Sequence, residues 1–243
     1  MSVESVVPSF LLPCYRRARS SLKNQLMGGS NERVFSKIYR DSLWGKPTSS
    51  EQKFYSGTGS YDPTTDDYVA VVRQVIADYN VKSVLEIGCG DFSVASRYVQ
   101  HCDYYTGVDV VPELVAYNNF RFGRETTRFL CADASRQQLP TSDLCIIRQV
   151  LQHLSNRDIS NILENSYRSR LLLVTEHLPR PDHLRQANLD KSACPDVRVS
   201  FGSGVYLDQP PFNLDIEVLL DVAIRDYYIA PGERLKTVLI RNS

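Results

Sequence analysis

The stretch Val84-Leu85-Glu86-Ile87-Gly88-Cys89-Gly90-Asp91-Phe92 decides how this chain folds. Its apolar start suits a strand buried on both faces. Two glycines follow at once, where a sharp turn and a close approach to the backbone need no side chain. The residues after the turn, 92–100, are helix-capable. A strand that runs into a glycine turn and then a helix belongs to an open α/β sheet. In such sheets a nucleotide-like ligand lies beyond the carboxyl ends of the strands, at the point where strand order reverses.

The pattern continues outward from this segment. Apolar runs at 83–87, 104–108, 128–131, 144–147 and 171–174 read as strands, and 112–120 and 155–168 are helix-capable between them. Alternating strands and helices imply a doubly wound α/β fold with a mostly parallel sheet. Upstream, Val69, Val72, Val75 and Ile76 recur at helical spacing within 65–80, a helix that Asn80 could end. Downstream, 217–228 and 235–242 are strand-like around Ala230-Pro231-Gly232-Glu233, which suits an antiparallel hairpin at one end of the sheet. Residues 41–63 are rich in Ser, Gly, Thr and Pro, hence loop. The helix rhythm disappears from 179 to 214, and so long a stretch reads as a functional loop or lid. Two parts result: an N-terminal segment 1–62, and a domain 63–243 with a lid-like insertion at 179–214.

Composition narrows the classes. The 243 residues carry 28 Lys and Arg against 28 Asp and Glu, with 42% hydrophobic residues. High apolar content and zero net charge exclude a disordered chain, and a neutral balance disfavours a nucleic-acid partner. The balance is uneven, however. Residues 1–40 hold seven basic side chains and two acidic ones, a net of +5. Within them, 10–27 place Leu11, Tyr15, Ala18, Leu22 and Leu26 at helical spacing among arginines. Such a helix could contact an anionic membrane surface peripherally, or pack on the core or on a second subunit. The six cysteines form no C-x-x-C pair and no zinc-like spacing, so reduced thiols, no bound metal and a cytoplasmic protein are expected.

The acids choose among nucleotide ligands. A dinucleotide fingerprint needs a third glycine, where this chain has Ser93. Glu86 stands two residues before Gly88. Asp109 ends the next strand, 19 residues after Gly90, about the spacing at which an acid grips ribose hydroxyls. Asp133 ends a third strand, where an acid could read an adenine amino group.

In these residues the chain resembles the class I S-adenosylmethionine-dependent methyltransferases over roughly 65–178, with Phe92 in place of the last glycine of their E/D-x-G-x-G-x-G motif. The resemblance implies a Rossmann-like seven-stranded sheet and S-adenosylmethionine as cofactor. It implies that Gly88, Cys89 and Gly90 lie against the methionine part beside Glu86. Asp109 would hold the ribose hydroxyls, Val110 would contact the adenine ring, and Asp133 and Ala134 would face the adenine edge. A narrower resemblance rests on Ile38-Tyr39, Leu43-Trp44-Gly45, Ser56-Gly57-Thr58-Gly59-Ser60, Cys89-Gly90-Asp91-Phe92 and Pro210-Pro211-Phe212-Asn213-Leu214. In that order they look like a bacterial methyltransferase group associated with polysaccharide biosynthesis. It implies that Trp44 and the 56–60 loop, Ser60 included, cap the cofactor.

Methyl transfer needs a nucleophile aligned with the methyl group and water kept out. A hydroxyl acceptor also needs a base. His153 follows the fourth strand and His177 the fifth, so either is a candidate general base, with His177 ahead because it opens the lid. Arg148 could line the cofactor or acceptor, Glu176 could orient His177 or bind acceptor hydroxyls, and His183 is a candidate acceptor contact. The expectation is an O-methyltransferase acting on a sugar, a glycan precursor or a related small metabolite. A protein or nucleic-acid methyltransferase and a non-catalytic cofactor-binding module are the alternatives.

Overall fold

The computed structural model describes residues 29–47, 52–225 and 232–242. The predicted basic helix at 10–27 lies outside the described residues. Seven strands form one sheet: β1 (Ser83–Ile87), β2 (Tyr104–Asp109), β3 (Thr127–Cys131), β4 (Leu144–Arg148), β5 (Leu171–Leu178), β6 (Glu217–Ala223) and β7 (Arg234–Arg241). Their order is β3-β2-β1-β4-β5-β7-β6. The first five strands in the chain are parallel, and β7 and β6 add antiparallel pairings. The expected α/β sheet with an antiparallel C-terminal pair is therefore present. Its reversal point lies between β1 and β4, beside the glycine turn.

Among the described residues four α-helices flank the sheet: α1 (Asn31–Arg40), α2 (Thr64–Asp78), α3 (Pro112–Phe122) and α4 (Asn156–Ser166). Alternation along the strands builds two cores. Leu85, Ile87, Cys145, Ile147 and Leu172 point to the face covered by α1 and α4, where Ile38, Ile159 and Leu163 meet them. Val84, Leu144, Ile146, Leu171 and Leu173 point to the other face, against Tyr68, Val72 and Ile76 of α2. Side-chain caps start α1 and α4. Ser30 Oγ accepts from Arg33 N at 3.3 Å, and Ser155 Oγ from Asp158 N at 3.1 Å. Asn80, at φ 49°, stands just past the end of α2.

Two expectations are corrected. First, the segment after the glycine turn is two short 3-10 turns, Ala95–Arg97 and Val99–His101, not an α-helix. Phe92 sits at φ 65°. Tyr98, at φ −132°, is drawn inward by a 2.8 Å hydrogen bond to Glu86. Second, β5 runs to Leu178, so His177 lies within the strand rather than after it. Pairing with β7 over the whole length of β5, Leu171 with Arg241 through Leu178 with Arg234, carries the strand that far. The 179–214 segment is a loop, as its sequence suggests, and it is tied down. Arg198, 1% exposed, donates to Leu154 O at 2.7 Å, to Asn156 Oδ1 at 2.9 Å and to Leu189 O. Asn188 donates to Tyr206 O and Pro210 O and accepts from Tyr206 N. Satisfied backbone groups of this kind fix a loop without regular structure.

Candidate active site

The strand ends converge on a cavity of about 890 Å³, within the range of small-molecule sites. Gly88 and Gly90, at φ 72° and 54°, turn the chain from β1 in the left-handed region. Gly90 N donates to Asp109 Oδ2 at 3.2 Å and Val111 N to Oδ1 at 3.1 Å, so the turn and the end of β2 are locked together. Asn118 of α3 donates to Gly90 O at 2.8 Å. Each Asp109 oxygen keeps a lone pair for a further donor. Burial pushes its carboxyl up to about 6.

A strap formed by residues 52–61 lies directly on this turn. A Cβ at Gly90 would fall 2.5 Å from Ser56 Oγ. Asp91 is the anchor. Its Oδ2 accepts from Ser56 N, Gln52 Nε2 and Tyr61 OH at 3.0–3.1 Å, and its Oδ1 from Ser93 N and Oγ. Tyr39 OH meets Ser56 Oγ at 3.0 Å. At the strap's far end Arg148 Nη2 donates to Gly59 O at 2.7 Å, and the guanidinium lies 5.0 Å from the centre of the Tyr68 ring. Arg148 thus ties β4 to the strap while lining the cavity.

The other predicted residues fall as follows. Glu86 lines the cavity and is buried, with its Oε2 accepting from Tyr98 OH at 2.8 Å and Tyr105 OH at 2.7 Å. Cys89, Val110, Ala134 and Ser60 line the cavity too. Asp133 also lines it. Its Oδ1 accepts from Ser135 N and Oγ, and Asn31 Nδ2 approaches both its oxygens at 3.4 Å. Trp44 donates its indole N–H to Pro195 O at 3.1 Å and lies 5.0 Å from the His153 ring, so it joins the 179–214 loop to the cavity wall. Burial drives His153 down to about 3, which leaves it neutral and a poor proton acceptor near pH 7. His177 lines the cavity with its Nε2 2.7 Å from Glu233 Oε2. His183 lines the same cavity.

Glu176 is placed elsewhere. Neighbours along a strand face opposite sides, and Glu176 turns away from His177. Its oxygens accept from Leu151 N at 2.9 Å and Gln152 N at 3.1 Å, so it braces the turn after β4 and neither orients His177 nor meets an acceptor in the cavity. Burial pushes its carboxyl up to about 8. Sequence reasoning missed Asn31, Phe35 and Glu233. The serine cap at Ser30 was the available sign of α1. Glu233 has no local signature, because its position depends on β7 pairing with β5.

The donor set fits S-adenosylmethionine. That cofactor carries a net positive charge and a ribose diol. The wall offers Glu86, Asp91, Asp109, Asp133 and Glu233 against the single guanidinium of Arg148. Gln152 Oε1 and His153 Nδ1, also on residues of this wall, are buried without a hydrogen-bond partner. Among the described residues no cluster of side chains could hold a metal, and no helix is long and apolar enough to cross a membrane.

Comparisons with known proteins agree with this geometry. Residues 85–169 match the family described as Methyltransferase domain. The 2-ketoarginine methyltransferase of Streptomyces arginensis is 25% identical over 225 residues, which are 88% of this chain and 64% of that protein. The chain thus spans less than two thirds of that curated relative. Among solved structures, the N-methyltransferase NodS of Bradyrhizobium japonicum with S-adenosylhomocysteine aligns at a TM-score of 0.53 and 17% identity, covering 74% of this chain and 88% of its own. Human N-acetylserotonin methyltransferase with its cofactor aligns at 0.51 and 16%, covering 96% of this chain and 67% of its own. These likenesses establish the shared fold. The sheet core around the glycine turn thus matches a methyltransferase domain, on a fold shared with methyltransferases solved with S-adenosylmethionine or its product.

Proposed function

We propose that this protein is an O-methyltransferase whose acceptor is a sugar, a glycan precursor or a related small hydroxylated metabolite. The observation that carries the reading is the His177–Glu233 pair, 2.7 Å apart, on the wall of the cavity that also holds the glycine turn and Asp109. An imidazole held by a carboxylate is suited to take a proton from a hydroxyl as it attacks. Glu233 would fix the ring's orientation and stabilise the imidazolium. Bound S-adenosylmethionine supplies an activated methyl group. Asp109 would hold its ribose hydroxyls, Asp133 and the backbone at Ala134 its adenine edge, and Glu86 its methionine end. The tied-down 179–214 loop, through Pro195, Val197, Val199 and Ser200, would keep water out. The sugar acceptor is supported by the resemblance to the polysaccharide-associated group.

A second reading is supported by the relative that acts on 2-ketoarginine. A cavity wall rich in carboxylates suits a guanidinium as well as it suits the cofactor.

The test is methyl transfer from labelled cofactor to a panel of nucleotide sugars, simple glycosides and 2-ketoarginine. Label on a hydroxyl oxygen of a sugar supports the proposal, and label on 2-ketoarginine alone replaces it with the second reading. Label in protein or nucleic acid only would overturn both. Cofactor binding without transfer to any acceptor would leave a binding module. Within an active enzyme, His177→Ala is expected to lower kcat by about a hundredfold or more, the usual range for loss of a general base. Unchanged turnover in His177→Ala would rule out that base.

A further inference from the structure

Glu86 is placed in an unusual way for a cavity carboxylate. It is buried, yet one of its oxygens carries two phenol hydrogen bonds. Tyr98 comes from the 3-10 turns after the glycine turn and Tyr105 from β2, and both donate to the same Oε2 at 2.8 and 2.7 Å. Both phenols are themselves fully buried, and Tyr98 packs edge-on against Tyr68, 6.4 Å between ring centres. Neither ring lines the cavity, whereas Glu86 does. The corrected course of the chain after Phe92 has this bond at its centre. An α-helix there would not bring Tyr98 inward at φ −132°.

We infer that Tyr98 and Tyr105 are positioning residues for the cofactor: their two hydrogen bonds to one oxygen hold the Glu86 carboxyl group aimed at the cavity, where it receives the cation at the methionine end of S-adenosylmethionine. This rests on the cofactor assignment and goes beyond it, since neither tyrosine would touch the ligand. The physical argument is one of competing costs. Burial favours the neutral carboxylic acid, and donors to the ionised form oppose it. Other groups act on Glu86 as well. Arg148 from β4 favours the anion, while Tyr68, Cys89 and Cys145 bring no compensating charge near neutrality. The outcome is a carboxyl at about 7, with burial the dominant cause and the two phenols the largest opposing ones. A neutral acid would lose its attraction for the ligand's cation. Cofactor affinity therefore depends on the protonation state of Glu86, and the two phenols favour its anion.

The experiment is calorimetric binding of S-adenosylhomocysteine from pH 6 to 9 to wild type, Tyr98→Phe, Tyr105→Phe and Glu86→Gln. The ligand's own titration cancels in the ratio of each variant's Kd to that of the wild type. Loss of one phenol donor is expected to raise the Glu86 carboxyl by about one pH unit, which weakens binding about fivefold at pH 7 and leaves it nearly unchanged at pH 9. Glu86→Gln is expected to show no pH dependence beyond the ligand's own, so that its Kd ratio to the wild type rises with pH. A ratio that is constant across pH in both tyrosine variants would show a merely structural role and overturn the inference. If a tyrosine variant fails to fold, wild type against Glu86→Gln still decides the central point. A wild-type pH dependence that Glu86→Gln leaves intact would overturn it. Absence of binding to wild type at every pH would instead overturn the cofactor assignment.

Discussion

Asp109 and His153 show how burial sets chemistry at single residues. Asp109 is fixed by two backbone N–H groups and keeps acceptor capacity toward the cavity. Asp109→Asn preserves its shape but loses the charge-assisted hydrogen bonds, each about 1.5–3 kcal/mol. Cofactor affinity is expected to fall by at least about tenfold, measured by calorimetry. His153 carries a different signature. Its folded-state value of about 3 lies below the ordinary histidine value of about 6.5. The unfolded chain therefore takes up a proton that the folded chain refuses, and stability is lost as pH falls from about 6.5 toward 3. His153→Phe keeps a ring against Trp44 and removes that proton. Its melting temperature is expected to fall less steeply than that of the wild type between pH 6.5 and 4. Equal slopes would show that His153 does not control this loss.

At the scale of elements, the strap and the glycine turn form one unit. A Cβ on Gly90 would meet Ser56 Oγ at 2.5 Å, on a backbone at φ 54°. Gly90→Ala is expected to cost about 1–3 kcal/mol from backbone strain alone and to lift the strap from Asp91. Chemical denaturation reads the first effect and cofactor affinity the second. A variant as stable and as tight-binding as wild type would show that the strap is not seated on the turn. These elements were unequally legible in the sequence. Strands β1, β2 and β4 stand out because nearly all their residues are buried, on both faces, and apolar residues recur along each. Helix α1 does not, because its few apolar contacts, Val34, Phe35 and Ile38, sit among charges that face solvent. The turns after Phe92 were misread as a helix because the residue types permit one. What excludes it is a tertiary bond from Tyr98 to Glu86, which no local pattern records. The same holds for Glu233, whose role depends on a pairing across the sheet.

For the whole molecule, the sheet divides the work. The ends of β1, β2 and β3 carry the predicted cofactor residues Glu86, Asp109 and Asp133, while β5 and the start of β7 bring His177 and Glu233 together. The 179–214 loop closes the space between them, and Arg198 anchors it. Arg198→Met is expected to destabilise the protein by about 3 kcal/mol or more, because a buried guanidinium and its carbonyl partners lose each other. It should also expose the loop to limited proteolysis. Resistance equal to that of the wild type would show that other contacts hold the loop. The acidic lining of the cavity has a further consequence. Donation of a methyl group converts a sulfonium cation into a neutral thioether, so the spent ligand carries one positive charge fewer than the fresh one. A wall bearing Glu86, Asp91, Asp109, Asp133 and Glu233 attracts the two unequally. On the proposed reading, the field that draws in the charged donor relaxes its hold once the charge has been discharged, and the spent ligand exchanges for fresh without a moving part.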